Sequence, residues 1–400
     1  MGSVFLTDAQ QRKTLAAVRA LARARVSPHV GEVTSCATSF FSRYCAGRLV
    51  YPSPSSNPDD WLDEVVRYIR RRGIECIFPM DDRCLELVSA HRELFEGTCA
   101  VPIPFDAVVA KAMDKAAAIE AAEAAGVRCP RTLSVDILED SRGMEGGGVT
   151  KAPSRLWSGG YPAVVRPRRS SGARGLRVVR GPDELDRTVD LLVGRYPEGL
   201  IVQEYVPQGQ KFDVCLLVDW SGEHVATFVQ REIRHYPIPH GPSTLQESVW
   251  RPDLVDLALK VLESLEWRGL AEVEFMEDPR DGAPVFMEVN PRFWASLHLA
   301  VECGVDFPTL LYRLATGRPV HHVHEYAVGL RCRWLLPGDI LHFLTNPNRW
   351  DMSPGFFDFS DGKTRDDILS LTDPGPAIGF GLACLRYVLD PEMWEFMLRR

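Results

Sequence analysis

Phe286-Met-Glu288-Val-Asn290-Pro-Arg292 sets two oxygen ligands two residues apart and follows them with a guanidinium. In an extended strand, side chains at i and i+2 leave the same face, so Glu288 and Asn290 point at one spot. Gly269 to Met276 has the pattern of a strand, Asp278-Pro-Arg-Asp281-Gly282 that of a turn, and Pro284 to Asn290 that of the returning strand. Folded about Asp281, this hairpin brings Glu274 opposite Glu288. Facing like charges repel, so a cation is expected between them. The donors are oxygens, with no thiolate or imidazole, which suits Mg²⁺, or Mn²⁺ in its place, held alongside substrate phosphates.

Three upstream segments could serve the same chemistry. Ala112-Met113-Asp114-Lys115 opens an alanine-rich helix that ends at Gly126. Lys115 is an ordinary surface lysine unless that helix start faces an anion. Tyr161 to Pro167 is a strand ending in Arg166, and Ser170-Ser171-Gly172-Ala-Arg174-Gly175 is a loop of small residues flanked by Arg168 and Arg169. Such a loop lets backbone N–H groups close on phosphate oxygens, although it lacks the Gly-Lys-Ser/Thr ending of a Walker A loop. Val202-Gln203-Glu204-Tyr205-Val206-Pro-Gln-Gly209 is a strand running into a hinge.

In this order, from roughly the first strand to Pro319, the segments resemble the ATP-grasp superfamily, which includes biotin carboxylase, the carbamoyl-phosphate synthetase large subunit and D-alanine:D-alanine ligase. The resemblance implies that Lys115, Arg166, Ser171, Gly172 and Gly175 face the ATP phosphates. It implies that Gln203, Glu204, Tyr205 and Val206 grip adenine, that Glu274, Glu288 and Asn290 hold the metal, and that Arg292 is catalytic. Arg231 and Arg234, with Gln230 at the root of a long loop Ile233 to Thr244, are expected to contact substrate. Two departures stand out. Arg166 replaces the usual lysine, which keeps the charge but changes its geometry. Gln210-Lys211 follows the hinge where relatives often carry an acid for the ribose, leaving that contact unassigned.

The implied activity is an ATP-dependent carboxylate-amine ligase that forms an amide or peptide bond through an acyl phosphate and releases ADP and phosphate. Its expected partners are a small carboxylate and an amine, amino acids or similar molecules, and the resemblance leaves room for a homodimer. The rival readings are a phosphotransferase or carbamoyl-type enzyme using the same ATP site, and a nucleotide-binding protein without turnover.

Four hundred residues at 45% hydrophobic composition can bury a large core. A net charge of −8 and the lack of a basic tract argue against a nucleic-acid partner. With no apolar run near eighteen residues and no signal-peptide pattern at Met1 to Thr7, no membrane segment is expected and the location is expected to be cytoplasmic. Most of the ten cysteines, with no Cys-x-x-Cys pair, are expected to be reduced core residues, and a functional thiol at Cys36 or Cys45, which flank an aromatic segment, is the disfavoured alternative. His321-His322-x-His324 is expected to be a solvated loop.

Alternation of strand and helix patterns over Val4 to Asp82 predicts a doubly wound parallel sheet, with no Gly-x-Gly-x-x-Gly after the first strand. Thr7, Asp8, Asp81 and Asp82 fall at strand C-terminal ends, where such sheets bind ligands. The expected architecture combines α/β and α+β parts in an ATP-grasp fold. Residues 1–110 form the N-terminal domain and 111–325 the ATP-grasp domain, with a lid at about 133–203 entered through Gly143, Gly146, Gly147 and Gly148. Residues 326–400 form an appended subdomain ending in an amphipathic segment, Pro391 to Arg400.

Overall fold

The computed structural model describes residues 2–135, 153–170, 174–238, 241–359 and 361–389. The glycine cluster at 143–148, Ser171, Gly172 and the segment 391–400 therefore lie outside the described residues.

The N-terminal unit alternates β1 (Ser3–Leu6), α1 (Arg12–Arg23), β2 (Ser27–Glu32), β3 (Gly47–Val50), α2 (Pro58–Arg72), β4 (Cys76–Phe78) and α3 (Asp82–Ala90). Its four strands are all parallel, in the order β3-β2-β1-β4. Val4, Phe5 and Leu6 form a continuous apolar run, as a strand covered on both faces requires, and all three are fully buried. The sequence of α2 marks its own ends. Pro58 opens it, Asp59 and Asp60 sit in its first turn, Arg70 to Arg72 in its last, and Gly73 closes it at φ 61°.

Two helices, α4 (Asp106–Met113) and α5 (Lys115–Ala124), lead to a small second sheet. The Asp114 side chain caps α5 by accepting from the Ala116 N–H at 3.0 Å. The second unit contains β5 (Thr132–Val135), α6 (Pro153–Leu156), β6 (Ala163–Pro167), β7 (Arg177–Val179), α7 (Pro182–Val193) and β8 (Leu200–Glu204). Its strands are antiparallel in the order β5-β8-β6-β7, and it has its own apolar core around Val165, Leu185, Val189 and Val202.

The remaining strands are β9 (Lys211–Val218), β10 (His224–His235), β11 (Ser243–Ser248), β12 (Gly269–Glu277), β13 (Pro284–Asn290), β14 (Arg331–Arg333) and β15 (Thr364–Asp366). They make one sheet in the order β13-β12-β9-β10-β11-β14-β15. Helix α8 (Pro252–Ser264) lies between β11 and β12 in the chain, and its Leu254, Ala258, Val261 and Leu262 are buried, as its helical apolar period predicts. After β13 come α9 (Leu297–Glu302) and α10 (Phe307–Ala315), and the C-terminal region adds α11 (Ile340–Thr345) and α12 (Gly375–Leu389).

One sequence expectation is corrected here. The loop Ile233 to Thr244 is shorter than its composition suggested, because β10 continues to His235 and β11 starts at Ser243. Residues 326–389 are continuous with the large sheet through β14 and β15, and are tied to the first domain by Arg19 and Asp373, both buried, with Nε to Oδ2 at 2.9 Å. Among the described residues no helix is long and apolar enough to cross a membrane. The exposed His324 has its ring centroid 4.5 Å from that of His224, the two rings tilted by 53°, and all ten cysteines are free thiols.

Candidate active site

The hairpin β12–β13 pairs in the expected register, with Glu274 opposite Glu288 and Glu272 opposite Asn290. Strand alternation therefore directs Glu272, Glu274, Glu288 and Asn290 to one face. That face is the floor of a cleft of about 590 Å³, to whose lining the small sheet and the N-terminal domain also contribute.

Glu288 is the compensated acid. Lys115 Nζ and Arg166 Nη1 each lie 3.4 Å from its Oε2, and Arg166 Nη2 donates to the Met287 carbonyl at 3.0 Å. Burial pushes the Glu288 carboxyl upward, but Lys115, Arg166 and Lys211 outweigh it and hold the group below its ordinary value. Lys115 is buried, not a surface lysine. Its backbone N–H donates to the Arg168 carbonyl at 3.0 Å and its ammonium to the Ser170 carbonyl, which fastens α5 to the start of the glycine-bearing loop.

Glu274 is the opposite case. Burial first, then repulsion from Glu288 and Glu272, raises its carboxyl well above the ordinary range. Burial likewise lifts Glu272 to about 7, although Arg292 pulls it back, and lifts Asp213 of β9 further, with Glu232, Glu272 and Glu274 adding repulsion. Asn290 Nδ2 bridges the pair, at 3.1 Å from Glu272 and 2.7 Å from Glu274, while Asn290 Oδ1 accepts from Arg292 at 3.1 Å. Among the described residues no three His, Cys, Asp or Glu side chains form a ready-made metal site. The oxygen set here is two carboxylates and an amide, and its surplus of buried negative charge fits a hard divalent cation. Holding one requires Asn290 to turn its oxygen inward.

Arg292 Nε is 2.5 Å from Asp82 Oδ1, so the first residue of α3 positions the guanidinium that follows β13. Burial works against the Arg292 charge, but Asp82 outweighs it and raises the group above its ordinary value. Beside it, Lys13 donates to the Phe293 carbonyl at 3.0 Å, and burial, then the nearby Arg292, lowers Lys13 to about 8.

The other end of the cleft is an apolar slot lined by Pro130, Val164, Leu176, Val178, Val206, Met276 and Met287, with Gln203, Glu204 and Tyr205 on its edge. Gln203 is anchored by donating to Thr132 Oγ1 at 3.0 Å, and Glu204 accepts from Arg280 at 2.9 Å. Gly175, at φ 76°, is left-handed, a conformation that favours glycine, and its neighbours Arg174 and Leu176 line the cleft.

Two expected site residues are not brought to the cleft. Arg231 pairs with Glu247 at 2.5 Å, and Arg234 is buried against Asp339 at 2.8 Å. In β10 the cleft-facing residue is Glu232, and alternation turns Arg231 to the opposite face. Conversely, Lys13, Lys211, Asp213, Gln246 and Glu272 line the cleft but were not singled out as site residues. Glu272 was within reach of sequence reasoning, since Glu272-x-Glu274 repeats the i, i+2 spacing of Glu288-x-Asn290.

An apolar slot, two buried cations and an acid–amide floor share one cleft on a three-part scaffold. The chain has the ATP-grasp fold. A family model described as ATP-grasp in the biosynthetic pathway with Ter operon matches residues 197–336. Pyruvate carboxylase of Komagataella pastoris is 26% identical over 270 residues, which are 64% of this chain and 22% of that protein. This chain thus spans about a fifth of that carboxylase.

Among solved structures, the biotin carboxylase domain of Hydrogenobacter thermophilus 2-oxoglutarate carboxylase, a dimer with MgADP, ADP and bicarbonate, superposes with a TM-score of 0.66. It is 18% identical, over 82% of this chain and 73% of that one. N5-carboxyaminoimidazole synthetase from Staphylococcus aureus, complexed with ADP, gives 0.62 at 14% identity over 82% and 80% of the two chains. L-amino acid ligase from Bacillus licheniformis gives 0.58 at 14% over 80% and 75%. At these identities the likeness is one of fold.

Proposed function

We propose that this ATP-grasp protein is an ATP-dependent carboxylate-amine ligase acting on amino acids or amino-acid-like molecules. The observation that carries the proposal is the set of groups gathered in one cleft. An apolar slot edged by Gln203 to Val206 shares it with Lys115 and Arg166, which lie against Glu288, with Asn290 bonded to Glu274, and with Arg292 bonded to Asn290. The same fold in a biotin carboxylase domain, a carboxyaminoimidazole synthetase and an amino acid ligase supports this reading.

A carboxylate is a poor electrophile, and it must approach a polyanion. In the proposed reaction its oxygen attacks the γ-phosphorus and ADP leaves. The amine nitrogen then attacks the acyl carbon, phosphate leaves, and the nitrogen loses a proton. Lys115 and Arg166 hold phosphate oxygens, Arg166 through a planar fork in place of an ammonium. Arg292, held by Asp82, donates to the oxyanion that forms on amine attack. Mg²⁺, for which Mn²⁺ substitutes, would be held by Glu274, Glu288 and Asn290 and supplies charge neutralisation of the phosphates. No side-chain nucleophile is used. A homodimer is part of the reading and is checked by light scattering.

The test is a screen of amino acids in pairs for ADP release, followed by mass measurement. A product weighing the sum of its substrates less one water, with one phosphate released per bond, supports the ligase. A stable phosphorylated product, or nucleotide binding with no turnover on any pair, overturns it.

A further inference from the structure

Gln246 is fully buried, lines the cleft, and neither its Oε1 nor its Nε2 has a hydrogen-bond partner among the described residues. A buried carboxamide with both ends unmet is unusual, because each unmade bond costs the desolvation of its atom. Directly opposite Gln246 in the antiparallel β10–β11 pair stands Glu232, also in the cleft, whose Oε2 lacks a hydrogen-bond partner too. Cross-strand partners hold their Cβ atoms about 5 Å apart, so the two side chains can reach one small group. The unmet atoms are thus two oxygens that accept, one of them anionic, and one N–H that donates.

The charges nearby define what is missing. Lys211 Nζ lies 3.7 Å from Glu232 Oε2, and His235 Nδ1 lies 3.2 Å from it. Burial pulls His235 below its ordinary value, which leaves its ring neutral near pH 7. Lys211 is shared, since it also faces Asp213, Glu274 and Glu288. Lys211 therefore does not belong to Glu232 alone, and at 3.7 Å it makes a loose ion pair with it. The same cleft is also lined by Trp334, Ile368 and Phe380, which offer apolar surface.

Resting on the ligase reading, we infer that Glu232 and Gln246 form the seat for the ammonium of an α-amino-acid substrate with an apolar side chain. Glu232 Oε2 and Gln246 Oε1 accept from the ammonium, Gln246 Nε2 donates to the substrate's carboxyl oxygen, and the side chain packs on Trp334, Ile368 and Phe380. Glu232 lies two strands and Gln246 three strands from β12, lateral distances of about 10 and about 14 Å. That span accommodates a cation with its phosphate on one side and a small amino acid on the other. Both residues are specificity-determining.

The test uses the full chain with saturating Mg·ADP and titrates each of the twenty common L-amino acids, then the 2-hydroxy acid matching each one that binds. Apolar amino acids are expected to bind, and their hydroxy acids to bind at least about tenfold more weakly, having lost the ammonium. Gln246→Leu should weaken amino-acid binding about tenfold while the affinity for ADP stays within about twofold, and Gln246→Asn should recover part of the loss. Equal binding of hydroxy acids, no binding by any of the twenty, or an unchanged affinity in Gln246→Leu would overturn the seat. The two readings separate cleanly. Amino-acid binding with the expected selectivity but no ADP release from any pair removes the ligase reading and keeps the seat. ADP release with unaltered KM in Gln246→Leu removes the seat and keeps the ligase.

Discussion

Glu274 and Glu288 occupy one register position, yet their surroundings drive them apart. The carboxyl beside Lys115 and Arg166 is held ionised, whereas the one beside other acids is pushed toward its neutral form. Glu288→Gln therefore removes the charge that organises both cations, and steady-state assays should show ADP release falling by about 10²-fold or more with the circular dichroism spectrum unchanged. Unaltered ADP release would remove Glu288 from the site. Arg292→Ala should lower kcat by about 10²-fold while the Kd for ATP barely moves, because a donor to a developing oxyanion acts after nucleotide is bound. A collapse of ATP affinity with kcat preserved would make Arg292 a nucleotide ligand instead. Asp8 provides a pH test outside the floor. Burial, then Asp81, raises it to about 7 against an ordinary 3.8, so the folded state holds its proton more tightly than the unfolded chain. Its contribution to stability is complete below about pH 4 and is lost as pH climbs through about 7. Urea titrations at pH 6 and pH 8 should show the higher pH less stable by about 1–2 kcal/mol from this group. Asp8→Asn, which tolerates the residue's left-handed φ of 58°, should flatten that difference. An equal pH slope in the variant would dismiss Asp8 as its source.

Among elements, the contact of the loop before α12 with α1 is the most exposed to a single change. Asp373 accepts from Arg19 Nε at 2.9 Å, from Ser42 Oγ at 2.8 Å and from the Arg43 N–H at 2.9 Å, and Arg19 also donates to the Ile368 carbonyl at 2.9 Å. Asp373→Ala strands a buried guanidinium and should cost about 3–5 kcal/mol in chemical denaturation. Arg19→Leu combined with Asp373→Ala should recover a large part of that loss, and a double variant as unstable as the single one would contradict the ion-pair account. The hairpin was legible in the sequence because turn chemistry fixes where the chain reverses and a period of two fixes which side chains face together. The hinge and the strand of Arg166 were legible for the same local reasons. The face of β10 was not, since Gln230, Arg231, Glu232 and Arg234 are all polar and no apolar alternation marks the inner side. Arg231 drew attention by its charge, yet its partner is Glu247 on the neighbouring strand. Lys13 and Gln246 were invisible for a different reason: tertiary contacts between distant segments bring each to the cleft, and neither lies in a motif. Nothing local marked residues 331–366 as sheet, because β14 and β15 are three-residue strands whose pairing partners lie far away in the chain.

At the scale of the molecule, the small sheet has a separate core and meets the large sheet across the cleft through Lys115, Arg166 and the hinge. On the proposed function nucleotide would touch both bodies, so Mg·ATP should slow amide exchange at residues 153–206 well beyond any change at residues 2–110. Mass-spectrometric exchange with uniform protection, or with none in the small sheet, would contradict closure of one body on the other. The cleft also draws its walls from chain segments far apart in order. Gln10 to Lys13 face Trp334, Ile368 and Phe380, and Arg12 and Arg19 find their carboxylates at Asp367 and Asp373. A ribosome adding about 5–20 residues each second makes α1 long before those partners exist. For tens of seconds the emerging N-terminal domain holds two arginines with no counterion and a half-walled trough of apolar side chains. Its exposure to chaperones during synthesis is thus set by the distance along the message between codons 19 and 373.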